Sequence, residues 1–294
     1  SFRMVALLLV LLPFFTSMLV TNDVSLITFV PFAILVLQTI GRTEYLIPVI
    51  VLQTVAANLG SMATPVGNPQ NLFLYASYSL DAGSFFGVMV PLTLLSLCGL
   101  LASSLIFPKD AIQVDFTQRC TITGKRQLIL YVVLFLLCLL SVFRVLHYGI
   151  LTAIVAVLLL ITDRKILKRV DYFLLLTFVC FFVFAGNIGA IEQVKTFLEA
   201  LLDRSAVLSS ILASQVISNV PAAVLLAGFT DDWHGLLVGT NLGGMGTLIA
   251  SLASLISFKF YAALPEAKSG RYLAVFTLVN VVGLLILVPL SFLL

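Results

Sequence analysis

Apolar residues run almost unbroken along this chain, and short polar interruptions set its organisation. Met4 to Ile40 is apolar except at Thr21-Asn22-Asp23, which predicts two helical arms (4–40) meeting at a polar tip, with residues 41–44 as the exit loop. Tyr45 to Tyr78 (45–78) reads as a helix broken around 58–71, where Gly, Pro and amide residues gather. Residues 85–107 form a plain span, 108–127 a polar loop, 128–143 and 149–162 two short spans, and 163–170 a basic loop. A further span covers 171–185.

The stretch 191–202 differs. Ile191, Val194, Phe197, Leu198 and Leu201 are apolar at helical spacing, while Glu192, Lys195, Glu199 and Asp203 are polar, the pattern of a helix lying in the membrane interface. Next comes 206–229, with Ser218-Asn219-Val220-Pro221 at its centre. Its arms have about twelve and eight residues, too short for a hydrocarbon core of roughly 30 Å, so a re-entrant hairpin is expected. A second broken helix covers 236–263 and a last span 272–294.

Hairpin, broken helix, span: the order occurs twice, as repeat 1 (1–107) and repeat 2 (128–294). The breaks align residue by residue. Asn58-Leu59-Gly60-Ser61-Met62-Ala63-Thr64 matches Asn241-Leu242-Gly243-Gly244-Met245-Gly246-Thr247. Tip-to-break spacing differs, 36 residues from Asn22 to Asn58 against 22 from Asn219 to Asn241, and arm length absorbs the difference. The expected fold is an all-α polytopic membrane protein of two repeats with re-entrant hairpins and broken transmembrane helices.

Composition agrees: 61% of residues are hydrophobic and 10% charged, far from the roughly 25% charged of soluble domains, and mean hydropathy is +1.17. The net charge of +3 matters less than its placement. With loops 41–44, 108–127, 163–170 and 264–271 cytoplasmic, eleven Lys and Arg fall inside and only Arg144, Lys195 and Arg204 outside. That orientation makes the two repeats inverted. The apolar start is not read as a signal peptide, because no cleavage site follows and apolar character resumes after Asp23.

Polar groups freed from helical bonding at the bilayer centre are the candidate chemistry. Helix N-termini favour anions, and freed carbonyls coordinate cations. Asn22, Asn58, Gly60, Thr64, Asn68 and Asn71 form one candidate set; Asn219, Asn241, Gly243, Thr247, Ser251 and Ser254 form its counterpart. Na⁺ ligands are expected among Asn22, Asn58, Asn219 and Asn241. Asp23 is the only carboxylate well inside an apolar segment, either a cation or proton carrier or a cap for the arm beginning at Val24. Asp231-Asp232-Trp233-His234 and His147 read as interfacial loop features. Cys98, Cys120, Cys138 and Cys180 show no metal or disulfide spacing. With no P-loop, HExxH or GxSxG, neither an enzyme nor a resident cofactor is expected beyond Na⁺ or H⁺ as coupling ion.

Three strings, Leu19 to Pro31, Thr64 to Asn71 and Ser214 to Pro221, resemble the ion transporter superfamily of arsenite permeases, D-type sodium/proton antiporters, citrate–metal carriers and divalent-anion/sodium symporters. The likeness is nearest to an uncharacterised bacterial inner-membrane branch. It implies inverted repeats, a homodimer in the bilayer, elevator-like motion, a small-anion substrate with a coupling cation, and no nucleic-acid partner. Carrying over the Ser-Asn-Thr tip of the dicarboxylate carriers gives Thr21 and Asn22, and Ser218 and Asn219. Asp23 and Val220 depart from the third position, and two hydroxyls are lost.

The second hairpin follows a span and an interfacial helix, and the first does not. The resemblance therefore predicts that roughly 70 to 90 N-terminal residues precede this sequence, two to three membrane-length helices. The leading expectation is a secondary active transporter moving an inorganic oxyanion or carboxylate with Na⁺ or H⁺ by alternating access. The alternatives are a Na⁺/H⁺ antiporter using Asp23, and a channel subunit or non-transporting membrane protein.

Overall fold

A computed structural model describes residues 1–112, 124–170 and 172–294. The central part of the predicted 108–127 loop, with Arg119 and Cys120, lies outside the described residues, as does Asp171. Every regular element among them is helical, and five helices are long and apolar enough to cross a membrane. The chain divides into two compact units, Ser1–Val114 with Phe182–Leu294, and Asp115–Phe181.

The smaller unit holds α6 (Lys125–Val142), α7 (Tyr148–Thr162), α8 (Arg164–Leu167) and the first part of α9 (Tyr172–Gly189). Tyr131 donates to Asp163 Oδ2 at 2.9 Å, while Asp163 Oδ1 caps α8 through Lys165 N at 3.1 Å, so one carboxylate ties α6 to the turn after α7. His147 caps α7, accepting at Nδ1 from Gly149 N.

In the larger unit, α1 (Phe2–Val20) and α2 (Asn22–Thr39) fold back on each other through the single residue Thr21. Ser25 on α2 reaches Thr16 Oγ1 at 2.6 Å and Pro13 O on α1. Each arm alone is long enough to cross the membrane. This hairpin packs on α3 (Leu46–Ser61), which is buried along nearly its whole length. Pro13 has no N–H for the carbonyl of Leu9, and Gln53 on α3 fills that gap, Nε2 donating to Leu9 O at 2.8 Å.

After a break come α4 (Pro69–Ser77) and α5 (Ala82–Ser103). Arg42 pairs with Asp110 at 2.7 Å and Phe2 N donates to Asp110 O, fixing the open end of the hairpin to the segment beyond α5. The Asp110 bond raises the Arg42 pKa above its usual value.

α10 (Glu192–Arg204) leads to the second hairpin, α11 (Ala206–Ile217) and α12 (Asn219–Leu226), joined through Ser218 alone. It packs on α13 (Trp233–Leu242), which is buried from Gly235 onward. A second break leads to α14 (Leu252–Ala262) and then α15 (Ser269–Ser291).

The helices after the breaks exchange places. α4 packs on α12 and α13, and α14 packs on α2 and α3. Each repeat thus completes the surroundings of the other's hairpin. Outward positions such as Leu35, Leu278 and Leu285 are 62–70% exposed apolar side chains, a surface that suits lipid.

Candidate binding site at the paired breaks

Local sequence explains where the helices stop. Beyond α3, Pro65 and Pro69 each lack an N–H, and Pro69 opens α4 where that loss is harmless. Asn68 caps α4, accepting at Oδ1 from Asn71 N at 2.9 Å. Beyond α13 the chain turns at Gly246, whose φ of +113° suits glycine.

The two tips share one backbone conformation. Thr21 has φ 70° and ψ 152°, and Ser218 has φ 73° and ψ 153°. That region is essentially reserved for glycine and costs other residues about 1–3 kcal/mol. Strain held at both tips is compatible with a built site. Thr21→Gly and Ser218→Gly are each expected to raise thermal stability by about 1 kcal/mol, the relieved strain less glycine's entropy. Thermal denaturation of the purified variants checks this.

Each tip meets the same point of its own break. Asn22 N donates to Gly67 O at 3.2 Å, and Ser218 Oγ donates to Ala250 O at 3.4 Å. Gly67 and Ala250 are aligned positions, and each donates its N–H to the aligned threonine, Thr64 or Thr247, at 3.2 Å. Thr64 Oγ1 bonds Met18 O, and Thr247 Oγ1 bonds Gln215 O at 3.2 Å, three residues before each tip.

Close approach repeats too. A Cβ on Gly60 would lie 2.8 Å from Ser17 Oγ, and one on Gly243 would lie 2.6 Å from Ser214 Oγ. The predicted Gly60 and Gly243 therefore serve as helix contacts, letting each hairpin press against its broken helix.

Between the repeats the contacts are reciprocal. Ser251 Oγ donates to Asn58 Oδ1 at 3.1 Å; Asn68 Nδ2, at the position aligned with Ser251, donates to Asn241 Oδ1 at 3.0 Å, the position aligned with Asn58. Asn58 Oδ1 also accepts from Asn22 Nδ2 at 2.9 Å, and its Nδ2 donates to Gly244 O at 3.3 Å. Asn241 Nδ2 donates to Asn71 Oδ1 at 2.6 Å. A contact in which residue A meets B′ and B meets A′ is the mark of two-fold symmetry. Asn22, Asn58, Asn68, Asn71, Asn219, Asn241 and Ser251 are all buried. Asn219 sits against Gly244, where a Cβ would meet its Nδ2 at 2.8 Å.

Asp23 is not the cap that one reading of the sequence offered. The α2 N-terminus has no side-chain cap; the Asp23 N–H is instead taken by Asn22 Oδ1 at 3.0 Å. Among the described residues the Asp23 carboxylate has no hydrogen-bond or ion-pair partner. Asp232, by contrast, caps α13 through Gly235 N. Cys98, Cys138 and Cys180 are free thiols.

Sequence reasoning missed three braces. Gln215 Nε2 donates to Gly243 O and Met245 O at 3.0 and 2.9 Å, and its Oε1 accepts from Thr247 N at 2.8 Å. Asn280 Oδ1, from α15, accepts from Gly246 N. Ser61 Oγ accepts from Asn68 Nδ2. A lone amide within an apolar run was the available signal for Gln215 and Asn280. Both brace the second break, and the aligned positions in repeat 1 hold Met18 and Leu97.

A family model described as "Citrate transporter" matches residues 1–231. An uncharacterised transporter of Methanocaldococcus jannaschii is 33% identical over 95% of this chain and 77% of its own length. The inner membrane protein YbiR of Escherichia coli is 34% identical over 87% of this chain and 69% of its own. A putative transporter, arsB, of Dictyostelium discoideum is 33% identical over 32% of this chain and 16% of its own. No solved structure matches.

Proposed function

This chain belongs to the citrate transporter family, and on that premise we propose that it is a secondary active transporter of a small anion, an inorganic oxyanion or a carboxylate, coupled to Na⁺ or H⁺. Membership sets it among transporters rather than enzymes. The observation that carries the reading is the reciprocal pair Ser251–Asn58 and Asn68–Asn241, which places two interrupted helices face to face with their amide groups between them. In this reading the hairpins are re-entrant and the two-fold axis lies in the membrane plane, supported by the basic loops gathering on one side. Alternating access then moves the site between faces, in a homodimer of the bacterial inner membrane.

The anion takes the N-terminal ends of α4 and α14; the cation takes freed carbonyls and amide oxygens around Asn22 and Asn58, with Asn219 and Asn241 as their counterparts. Purified protein in a thermal-shift panel of citrate, sulfate, phosphate, arsenite, Na⁺ and Li⁺ is expected to respond to one anion and one cation, since specific ligands stabilise by mass action. Gradient-driven uptake of that anion into proteoliposomes completes the test. Uptake indifferent to any Na⁺ or pH gradient overturns the reading.

The unpartnered Asp23 carboxylate favours a second reading, a Na⁺/H⁺ antiporter. Asp23→Asn separates the two. Sodium-driven proton exchange lost completely, with no anion ever shifting the melting temperature, supports the antiporter. Anion uptake reduced but still present in Asp23→Asn supports the anion carrier.

A further inference from the structure

One face of α14 is polar in the middle of an apolar fold. Ser251, Ser254, Ser257 and Tyr261 follow one another at helical spacing, and all are buried, at 2%, 0%, 0% and 4% exposure. From Ser251 to Tyr261 the helix rises about 15 Å, half the roughly 30 Å hydrocarbon thickness. The stripe starts at the site, where Ser251 bonds Asn58, and ends at Tyr261, whose hydroxyl accepts from the N–H of exposed Lys268 at 3.0 Å. α3 lines it with Thr54, one turn from Asn58, and α15 with Tyr272, whose ring stacks on Tyr261 at 4.9 Å.

Small polar residues also serve simply to pack helices, so the stripe alone says little. Two further observations do more. The hydroxyl of Ser254 is fully buried and has no hydrogen-bond partner, and that of Tyr272 approaches Thr54 without a well-formed bond. Buried hydroxyls left this way are groups that water completes. The other repeat also supplies an internal comparison. The aligned positions on α4 are Asn68, Asn71, Leu74 and Tyr78. Leu74 interrupts them, Asn71 is fully bonded, and Tyr78 is spent on Ala227 O and Thr230 O. Packing demands fall on both repeats, yet the hydroxyl line occurs in one.

We propose that water held along this stripe forms a proton path from the face carrying the 264–271 loop to the paired breaks. The inference rests on the transporter reading and narrows its coupling ion to H⁺. Each hydroxyl and water accepts a proton on a lone pair and releases its own, so one O–H bond forms for each that breaks. Hydronium at the Lys268 end supplies the proton, which passes from water to hydroxyl to water and is received by water at the paired breaks, where Ser251 bonds Asn58.

Two measurements test the path in the full chain. In radiolytic hydroxyl-radical footprinting, Tyr272 is expected to be oxidised several-fold faster than Phe2, an aromatic residue that is equally buried. Ser254→Ala should reduce that labelling. In proteoliposomes loaded with a pH-sensitive dye and given whichever panel anion is carried, Tyr272→Phe and Ser254→Ala should slow proton entry at least about tenfold, as expected for loss of a proton-transfer partner. The thermal shift produced by the anion should stay unchanged in Tyr272→Phe. Tyr272 as resistant to radicals as Phe2, or proton entry at the parental rate in both variants, overturns the path. Anion uptake without proton movement in the parent also overturns it, leaving the transporter standing. A parent that carries no anion sinks the transporter reading, while footprinting still reports on the water.

Discussion

Asn58→Ala is expected to abolish anion transport and to lower stability by about 2 kcal/mol. The side chain holds three buried bonds at once: it accepts from Asn22 and Ser251 and donates to the Gly244 carbonyl. Interhelical hydrogen bonds in membrane proteins average about 0.6 kcal/mol each, so three lost together give the stated figure. The functional loss is larger because these bonds join the first tip, the first break and the second break. Without Asn58, the amide groups facing the site lose their common anchor. Uptake in proteoliposomes should fall at least about a hundredfold, the scale reached when one polar group that orients a reacting centre is removed. Uptake near the parental rate would show that the reciprocal contact is scaffolding and not part of the site.

Gly60→Ala is expected to have a large structural effect. The added methyl would sit 2.1 Å from the Phe14 carbonyl oxygen, and that oxygen belongs to backbone. Helix α1 must move away from α3, and overpacking of this kind costs about 3 kcal/mol or more. Gly243→Ala should be milder, because its backbone obstacle, the Gly239 carbonyl oxygen, stands at 2.7 Å rather than 2.1 Å. Gly99→Ala meets nothing within 4 Å and serves as the control. The order of detergent-solubilised yield and melting temperature should be Gly99→Ala above Gly243→Ala above Gly60→Ala. Equal values for all three would remove the tight hairpin contact from the account.

The helical, membrane-spanning class was legible because composition and uninterrupted apolar runs leave few alternatives. The alignment of the two breaks, together with the polar tip of the first hairpin, pointed to residues that the structure brings together: Asn22, Asn58, Asn68, Asn71, Asn241 and Ser251. What it could not supply was the partner of each. Nothing in the sequence distinguishes a serine that reaches across to the other repeat, such as Ser251, from one that bonds its own helix, such as Ser257. The strain at Thr21 and Ser218 was hidden for a related reason: glycine announces such a conformation, and neither residue is glycine. Asn280 lay unnoticed in the last span, because its use depends on Gly246 arriving from another helix.

The exchange of α4 and α14 between repeats has a consequence for biosynthesis. Asn58 and Asn68 leave the ribosome about 180 residues before Gly244, Ser251 and Asn241 exist to bond them. At ordinary elongation rates that wait is on the order of ten to forty seconds. During it the nascent first half must sit in the bilayer with uncovered amides, a condition that insertion chaperones and membrane proteases recognise. Synthesis arrested before Asn241 should therefore yield a product cleared far faster than the finished chain.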